Sequence, residues 1–299
     1  MANVNNSITF EGTNYNLEEK DRVAAQLALQ GSEKGAHFKT IAASTLGGTD
    51  VIIGKLGSDD NTADPYTESS TQLFPLGTQL IYGERKYRYA QAGGVALTPG
   101  TLQQQKAAVG ADHLDLANTG NAATAAGTYE VSLETAGTDI TANQYAEGYL
   151  WINDATGEGQ SMKIKSHPAH DHSEDATIVF TLYDPLTTTL GTTQASVMEN
   201  PYKATVIAPH TETGDIVGVA PRAVQASYYY WVQTSGPCAV LVDGTVVIGN
   251  VVVRNLASHN GSVCIEVAGG SSLDVNPAVG RVLSASADTE YALINLTIE

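Results

Sequence analysis

Apolar and polar residues alternate in short runs along most of this chain. The clearest run is Ala176-Thr-Ile-Val-Phe-Thr-Leu-Tyr183, stopped by Asp184-Pro185. A period of two over such a length predicts a half-buried strand. Similar runs predict strands at Thr78–Tyr82 and Lys86–Ala90, joined by a turn at Gly83-Glu84. Further strands are expected at Tyr129–Leu133, at Tyr149–Ile152 and Gln160–Lys165 around the loop Asn153–Gly159, and at Ser196–Met198 and Lys203–Pro209. The last third is denser still. Ala239-Val-Leu-Val-Asp-Gly-Thr-Val-Val-Ile-Gly249 places Asp243-Gly244 between two apolar runs, a strong hairpin signal. Strands follow at Val251–Val253, Ser262–Val267 and Arg281–Ser284. Tyr291–Ile298 closes the series with Ile294, Leu296 and Ile298 on one face.

One run departs from simple alternation. Tyr228-Tyr-Tyr-Trp231 puts large rings on both faces of a strand, Tyr228 and Tyr230 with Val232 on one and Tyr229 with Trp231 on the other. Such a strand must be covered twice, by a second sheet, another domain or another subunit.

The helical period surfaces once. Leu17–Gln30 has Val23, Ala24, Leu27 and Ala28 at helical spacing, Asn16 as a cap and Gly31 as a stop. The pattern therefore predicts an all-β protein of two β-sandwich or β-barrel domains. Residues 1–40 are an N-terminal arm with one possible helix, 41–200 the first β domain and 201–299 the C-terminal β domain.

Composition supports a folded, strand-rich chain. Its 299 residues are 42% hydrophobic with 29 glycines, which suits many strands and turns. The net charge of −17 disfavours nucleic-acid phosphate as a partner. The acidity is uneven: between Ala107 and Met162 there are eight Asp and Glu and no Lys or Arg. From Ala204 onward only Arg222, Arg254 and Arg281 are basic. No apolar run reaches the length of a membrane helix, and the polar start lacks the features of a signal peptide. Cys238 and Cys264 sit in apolar runs outside any CxxC pair and are expected as free thiols.

Candidate chemistry is sparse. Asp59, Asp60, Asn61 and Asp64 are oxygen-rich but lack the spacing of a calcium loop. Arg85, Lys86 and Arg88 interleave with Tyr87 and Tyr89, which fits one polar face of a hairpin. His167-Pro-Ala-His170-Asp171-His172 could supply metal ligands, with His113, His210 and His259 as distant candidates. Its place in a Pro-containing connector favours a polar loop over a zinc centre. No nucleophile motif such as Gly-x-Ser-x-Gly is present. The expectation is a protein with no catalytic residue, no cofactor site and no metal site, and not an enzyme.

Three stretches carry a resemblance. They are Thr78–Gln103 with its Gly-Glu-Arg-Lys-Tyr-Arg-Tyr-Ala-Gln-Ala-Gly-Gly core, Trp151-Ile-Asn-Asp-Ala-Thr-Gly-Glu-Gly-Gln160, and Val217–Gly236. In these phrases the chain resembles tailed-bacteriophage virion structural proteins of the capsid decoration, or cement, type. The resemblance implies a β-rich block on the outside of an icosahedral head, made in the host cytoplasm. It implies the major capsid protein as partner and a homo-oligomer, a trimer, as the working unit, with no nucleic acid and no membrane. No catalytic residues carry over, and residues 1–40 and the histidine cluster lie outside it. The other reading weighed is a phage tail fibre or spike protein that stacks host glycans on Tyr228–Trp231 or on Tyr145 and Trp151.

Overall fold

The computed structural model describes residues 8–10, 13–15, 51–54, 64–107, 113–118, 124–135, 137–266 and 277–299. Among them the chain is all-β, with no helix. The expected helix at 17–30 and the 59–61 part of the acidic loop lie outside the described residues. Within the expected arm, β1 (Ile8–Phe10) and β2 (Thr13–Tyr15) form a small antiparallel pair.

Two larger sheets make the body: a six-stranded half-barrel and an eleven-stranded, nearly closed barrel. The half-barrel takes β7 (Leu116–Ala117), β8 (Glu130–Glu134), β9 (Tyr149–Ile152), β10 (Ser161–Ser166), β11 (Thr177–Leu182) and β12 (Gln194–Met198), in the order β7-β12-β9-β10-β11-β8. Their inward positions alternate as the sequence predicts. Leu150, Ile152, Ile164, Ile178, Phe180 and Leu182 are all buried in one core.

The barrel begins with β3 (Val51–Gly54), β4 (Gln79–Tyr82), β5 (Arg85–Gln91) and β6 (Leu102–Gln104). It resumes after the half-barrel with β13 (Val206–Ile207), β14 (Ile216–Val219), β15 (Tyr229–Leu241), β16 (Val251–Arg254), β17 (Val263–Ile265), β18 (Ala278–Ser284) and β19 (Tyr291–Thr297). Division by sheet thus differs from division at 200/201. Strands β5 and β6 pair with strands that follow residue 201, and the half-barrel is an excursion between β6 and β13. Periodicity reveals that a strand exists, whereas its partner is set by which buried faces fit.

Strand β15, 13 residues long, organises the barrel. Its first half pairs with β5 and its second half with β19. The exchange falls at Ser235, which is in register with both Lys86 and Thr297. Gly236 follows at φ 86°, where a Cβ would lie 2.8 Å from the Glu84 carbonyl oxygen. Only glycine accepts that conformation and approach without strain.

The aromatic run starts this strand and is covered twice by its own chain. Trp231 and Tyr229 pack with Phe74, Leu80 and Tyr89, and the Tyr89–Trp231 centroids are 4.9 Å apart. Tyr230, Val232 and Tyr228 pack on the opposite side with Ala90, Leu97 and Val224. Beyond Gly236 the strand supplies Cys238 and Val240 to the barrel interior, and Val242 directly after it joins them, opposite Val252, Val263 and Ile294. A parallel bridge from Val242 to Val263 links the end of β15 to β17. Closure of this kind removes exposed edges that would otherwise template aggregation.

The expected Asp243-Gly244 hairpin does not form. Residues 245–250 contain no strand, and β15 pairs with β19 instead of β16. The Asp243 carboxylate is drawn to Asn255, Ser258 and His259, and the Gly244 N–H donates to Asp288 Oδ1 at 2.6 Å. These long-range bonds replace the local turn.

Candidate functional site

The histidine cluster, the most chemical-looking motif in the sequence, is dispersed by the fold. His167 follows β10 and is 4% exposed. Its Nε2 accepts the Tyr145 N–H at 2.9 Å, and its Nδ1–H donates to the Pro168 carbonyl at 2.8 Å. Both nitrogens are therefore committed in the neutral form. Burial lowers its pKa first of all, and the Lys203 ammonium adds to that effect, against the Pro168 hydrogen bond. The ring lies 5.1 Å from Phe180, centroid to centroid. His113 meets the Tyr145 hydroxyl through Nδ1. His170 is buried too: its backbone exchanges hydrogen bonds with Ile140 at 2.8 and 2.9 Å, and its ring contacts the Thr135 hydroxyl.

Of the three histidines of the cluster, His172 is the one that remains at the surface. It donates its backbone N–H and Nδ1–H to Asp139 Oδ1, at 3.0 and 2.8 Å. Asp171 turns to the Ser173 N–H and hydroxyl, and those bonds hold its carboxyl below the usual range. Asp139 is likewise lowered, by the bond from His172. Asp139, Asp171 and His172 do bring three ligand atoms within 4.8 Å of one another, all exposed. A zinc centre needs three or four ligands at about 2 Å from one ion, and here His172 Nδ1 is engaged with Asp139 Oδ1. His167 and His170 face elsewhere, so the sequence cluster does not converge.

A second polar group was not legible in the sequence. Asp243 Oδ2 accepts from Asn255 Nδ2, the Ser258 hydroxyl and His259 Nδ1. Serine, histidine and aspartate meet, but in the wrong order for a hydrolase. Both hydroxyl and imidazole are bound to the same carboxylate oxygen. A relay needs the hydroxyl on the far nitrogen of the imidazole. The arrangement is a loop clasp, and it keeps the Asp243 carboxyl below its usual range, the Ser258 bond acting most strongly.

The rings expected as sugar platforms are largely interior. Tyr145, Tyr230 and Trp231 are buried. Trp151 alone of the two tryptophans is half-buried, and it lines a small pocket of about 80 Å³ with Leu114, Met198, Pro201, Lys106 and Glu199. Lys106 Nζ is 2.8 Å from Glu199 Oε1 at its rim. This pocket lies where the chain leaves the barrel for the half-barrel and returns.

The larger concavity, about 420 Å³, lies on the barrel beside the β15 exchange point. Tyr66, Arg85, Pro99, Pro221, Tyr291 and Leu293 are among its walls. Arg85 donates to the Tyr66 hydroxyl and stands 5.8 and 5.7 Å from the Tyr66 and Tyr82 ring centroids. Its Nε is buried with no acceptor, and it has no ion pair with a carboxylate among the described residues. The Tyr291 ring crosses Gly100, where a Cβ would stand 2.6 Å from the ring.

Both thiols are free. Cys238 is buried, and desolvation pushes its pKa up to about 12, whereas Cys264 is half-buried. No helix among the described residues is long and apolar enough to cross a membrane. No known family model matches this chain, and comparisons with curated proteins and with solved structures likewise found no match.

Proposed function

We propose that this chain is a structural protein of a tailed-phage virion that decorates and stabilises the outside of the icosahedral capsid. It acts as a homo-oligomer, a trimer, seated on the major capsid protein, and it is not an enzyme. The observation that carries this reading is how the fold spends its reactive side chains. His167, His170 and Tyr145 are locked into the half-barrel interior. Tyr230 and Trp231 are core, and the Asp243–Ser258–His259 group clasps a loop. The exposed surface carries many carboxylates and several large apolar side chains, as suits a block that works by contact. The resemblance of the phrases at Thr78–Gln103, Trp151–Gln160 and Val217–Gly236 to decoration proteins supports the same reading.

Imaging of the particle is the test. The expected result is a surface density at a copy number stoichiometric with the head lattice, together with heads that lose stability when the protein is absent. Density confined to the tail would overturn it.

One observation favours a second reading, a tail fibre or spike protein that binds glycans. Trp151 and the Lys106–Glu199 pair line one pocket, and an aromatic ring beside paired polar groups suits a sugar ring. Glycan binding that is lost in Trp151→Ala would support it. No binding across a broad glycan panel would end it.

A further inference from the structure

Five exposed apolar side chains, Tyr291, Leu293, Leu283, Val247 and Ile248, lie on or beside β18 and β19 of the barrel. On β19, Tyr291 and Leu293 face outward at 48% and 41% exposure while Ala292 and Ile294 face the core. Leu241 and Ala239 are their cross-strand neighbours on β15. On the other flank, Leu283 occupies a bulge of β18 opposite Leu293. Next comes the turn carrying Val247 and Ile248, the latter 66% exposed, which is tied to β18 by the Gly249 N–H to Val282 carbonyl bond of 2.9 Å. At the near end this surface runs into the concavity that holds Tyr291, Leu293 and Arg85. Scattered exposed apolar residues need no explanation, but a contiguous group marks a contact surface.

Charge says what covers it. The chain carries 32 acidic against 15 basic residues, so two guanidinium groups beside one apolar patch stand out from its general acidity. Arg85 and Arg281 both border this patch, and neither forms an ion pair with a carboxylate among the described residues. Arg281 is in register with Asn295 on the same outer face and bonds only weakly to the Gly249 carbonyl, at 3.4 Å. A guanidinium walled by aromatic rings and short of an acceptor is costly unless an acceptor arrives. The matching surface is on the same molecule. Residues 113–198, which build the half-barrel, hold eleven acidic residues against two basic ones, Lys163 and Lys165.

We propose that the Tyr291–Leu293–Leu283–Ile248 patch, flanked by Arg85 and Arg281, is the interface that receives the acidic half-barrel of a second copy of this chain. A barrel of one copy against the half-barrel of the next is a head-to-tail contact, which gives a ring where the rotation between copies closes and a filament where it does not. Each subunit then makes two such contacts. The inference rests on the oligomeric part of the proposed function and not on where the assembly sits.

The test is therefore made on the isolated full chain, by light scattering or sedimentation over a wide range of concentration and salt. The wild type is expected to be oligomeric, with dissociation favoured by added salt. Leu293→Asp and Arg85→Glu are each expected to raise the dissociation constant by about tenfold or more. Ile248→Asp, in the exposed turn, serves the same purpose should Leu293→Asp fail to fold, with circular dichroism as the check on folding. A wild type that is monomeric throughout overturns the proposal. So does an oligomer that all three substitutions leave intact. A monomeric wild type that binds capsids, with binding lost in Leu293→Asp, would assign the patch to the capsid protein instead and leave the decoration reading standing.

Discussion

The Leu76 backbone N–H donates to Glu147 Oε2 at 2.6 Å, across the junction of the barrel and the half-barrel. The same carboxylate accepts from Gln72 Nε2 at 3.0 and 3.1 Å, and Asn200 Nδ2 donates to the Glu147 carbonyl at 2.9 Å. Glu147 thus ties the turn between β8 and β9 to the segment that leads into β4. The two lobes have separate cores, so their coupling depends on a small number of such bonds. Hydrogen bonds to a charged group contribute about 1.5–3 kcal/mol. Glu147→Ala is expected to cost about that much and to split thermal unfolding into two steps, with Glu147→Gln intermediate. Scanning calorimetry reads this directly. One unchanged cooperative transition would mean that other contacts join the lobes.

The buried, neutral His167 makes stability depend on pH. Its folded pKa lies below the ordinary value of about 6.5. Below that ordinary value the unfolded chain takes up a proton that the folded one refuses, so stability falls as pH falls. The contribution is fully present above about pH 6.5 and declines as pH drops through that value toward the depressed folded pKa. Protonation at Nε2 would also turn the acceptor of the Tyr145 N–H into a donor. Melting curves between neutral and mildly acidic pH should show the decline, and His167→Gln should flatten it. An equal slope in the variant would assign the effect to other groups.

Arg254 is a buried cation held by oxygen acceptors. It is 5% exposed and gives hydrogen bonds to the carbonyls of Pro209, Thr211 and Gly214 and to Gln104 Oε1, the last at 2.7 Å. It pins the loop before β14 to β16 and β6. A lysine offers one point charge where a fork of donors is required. Arg254→Met leaves several acceptors unpaired, each costing about 1–3 kcal/mol. Strong destabilisation is expected in denaturant titration, with Arg254→Lys recovering only part of the loss. A midpoint within error of wild type would refute that role.

The two thiols should differ in reactivity. The thiolate is the reactive form, and burial holds the Cys238 pKa at about 12. Cys264 is raised less and is half-buried. Timed alkylation followed by mass spectrometry should label Cys264 first and Cys238 only after unfolding. Labelling of Cys238 at the faster rate in the native protein would contradict the buried placement.

The sequence by itself determined where most strands lie and which face each one buries. Alternation at Ala176–Tyr183 and at Tyr291–Ile298 is a local property, and the structure keeps it, with Phe180, Ile294 and Leu296 buried. The β4–β5 turn at Gly83-Glu84 and the β9–β10 loop were legible for the same reason. The double cover of Tyr228–Trp231 followed from alternation alone, and the structure assigns both covers to the same chain. Tertiary structure decided everything that depends on distant partners. Tyr87 opposite Gln233, and Cys238 opposite Ile294, leave no mark in local pattern. The Asp243-Gly244 signal yielded to distant bonds, from Ser258 and His259 to Asp243 and from Gly244 to Asp288. His167, His170 and His172 are adjacent in sequence, yet burial draws two inward and leaves the third in water. Alternation fixes the direction of a side chain relative to its own strand, whereas convergence of side chains requires the packing of whole sheets.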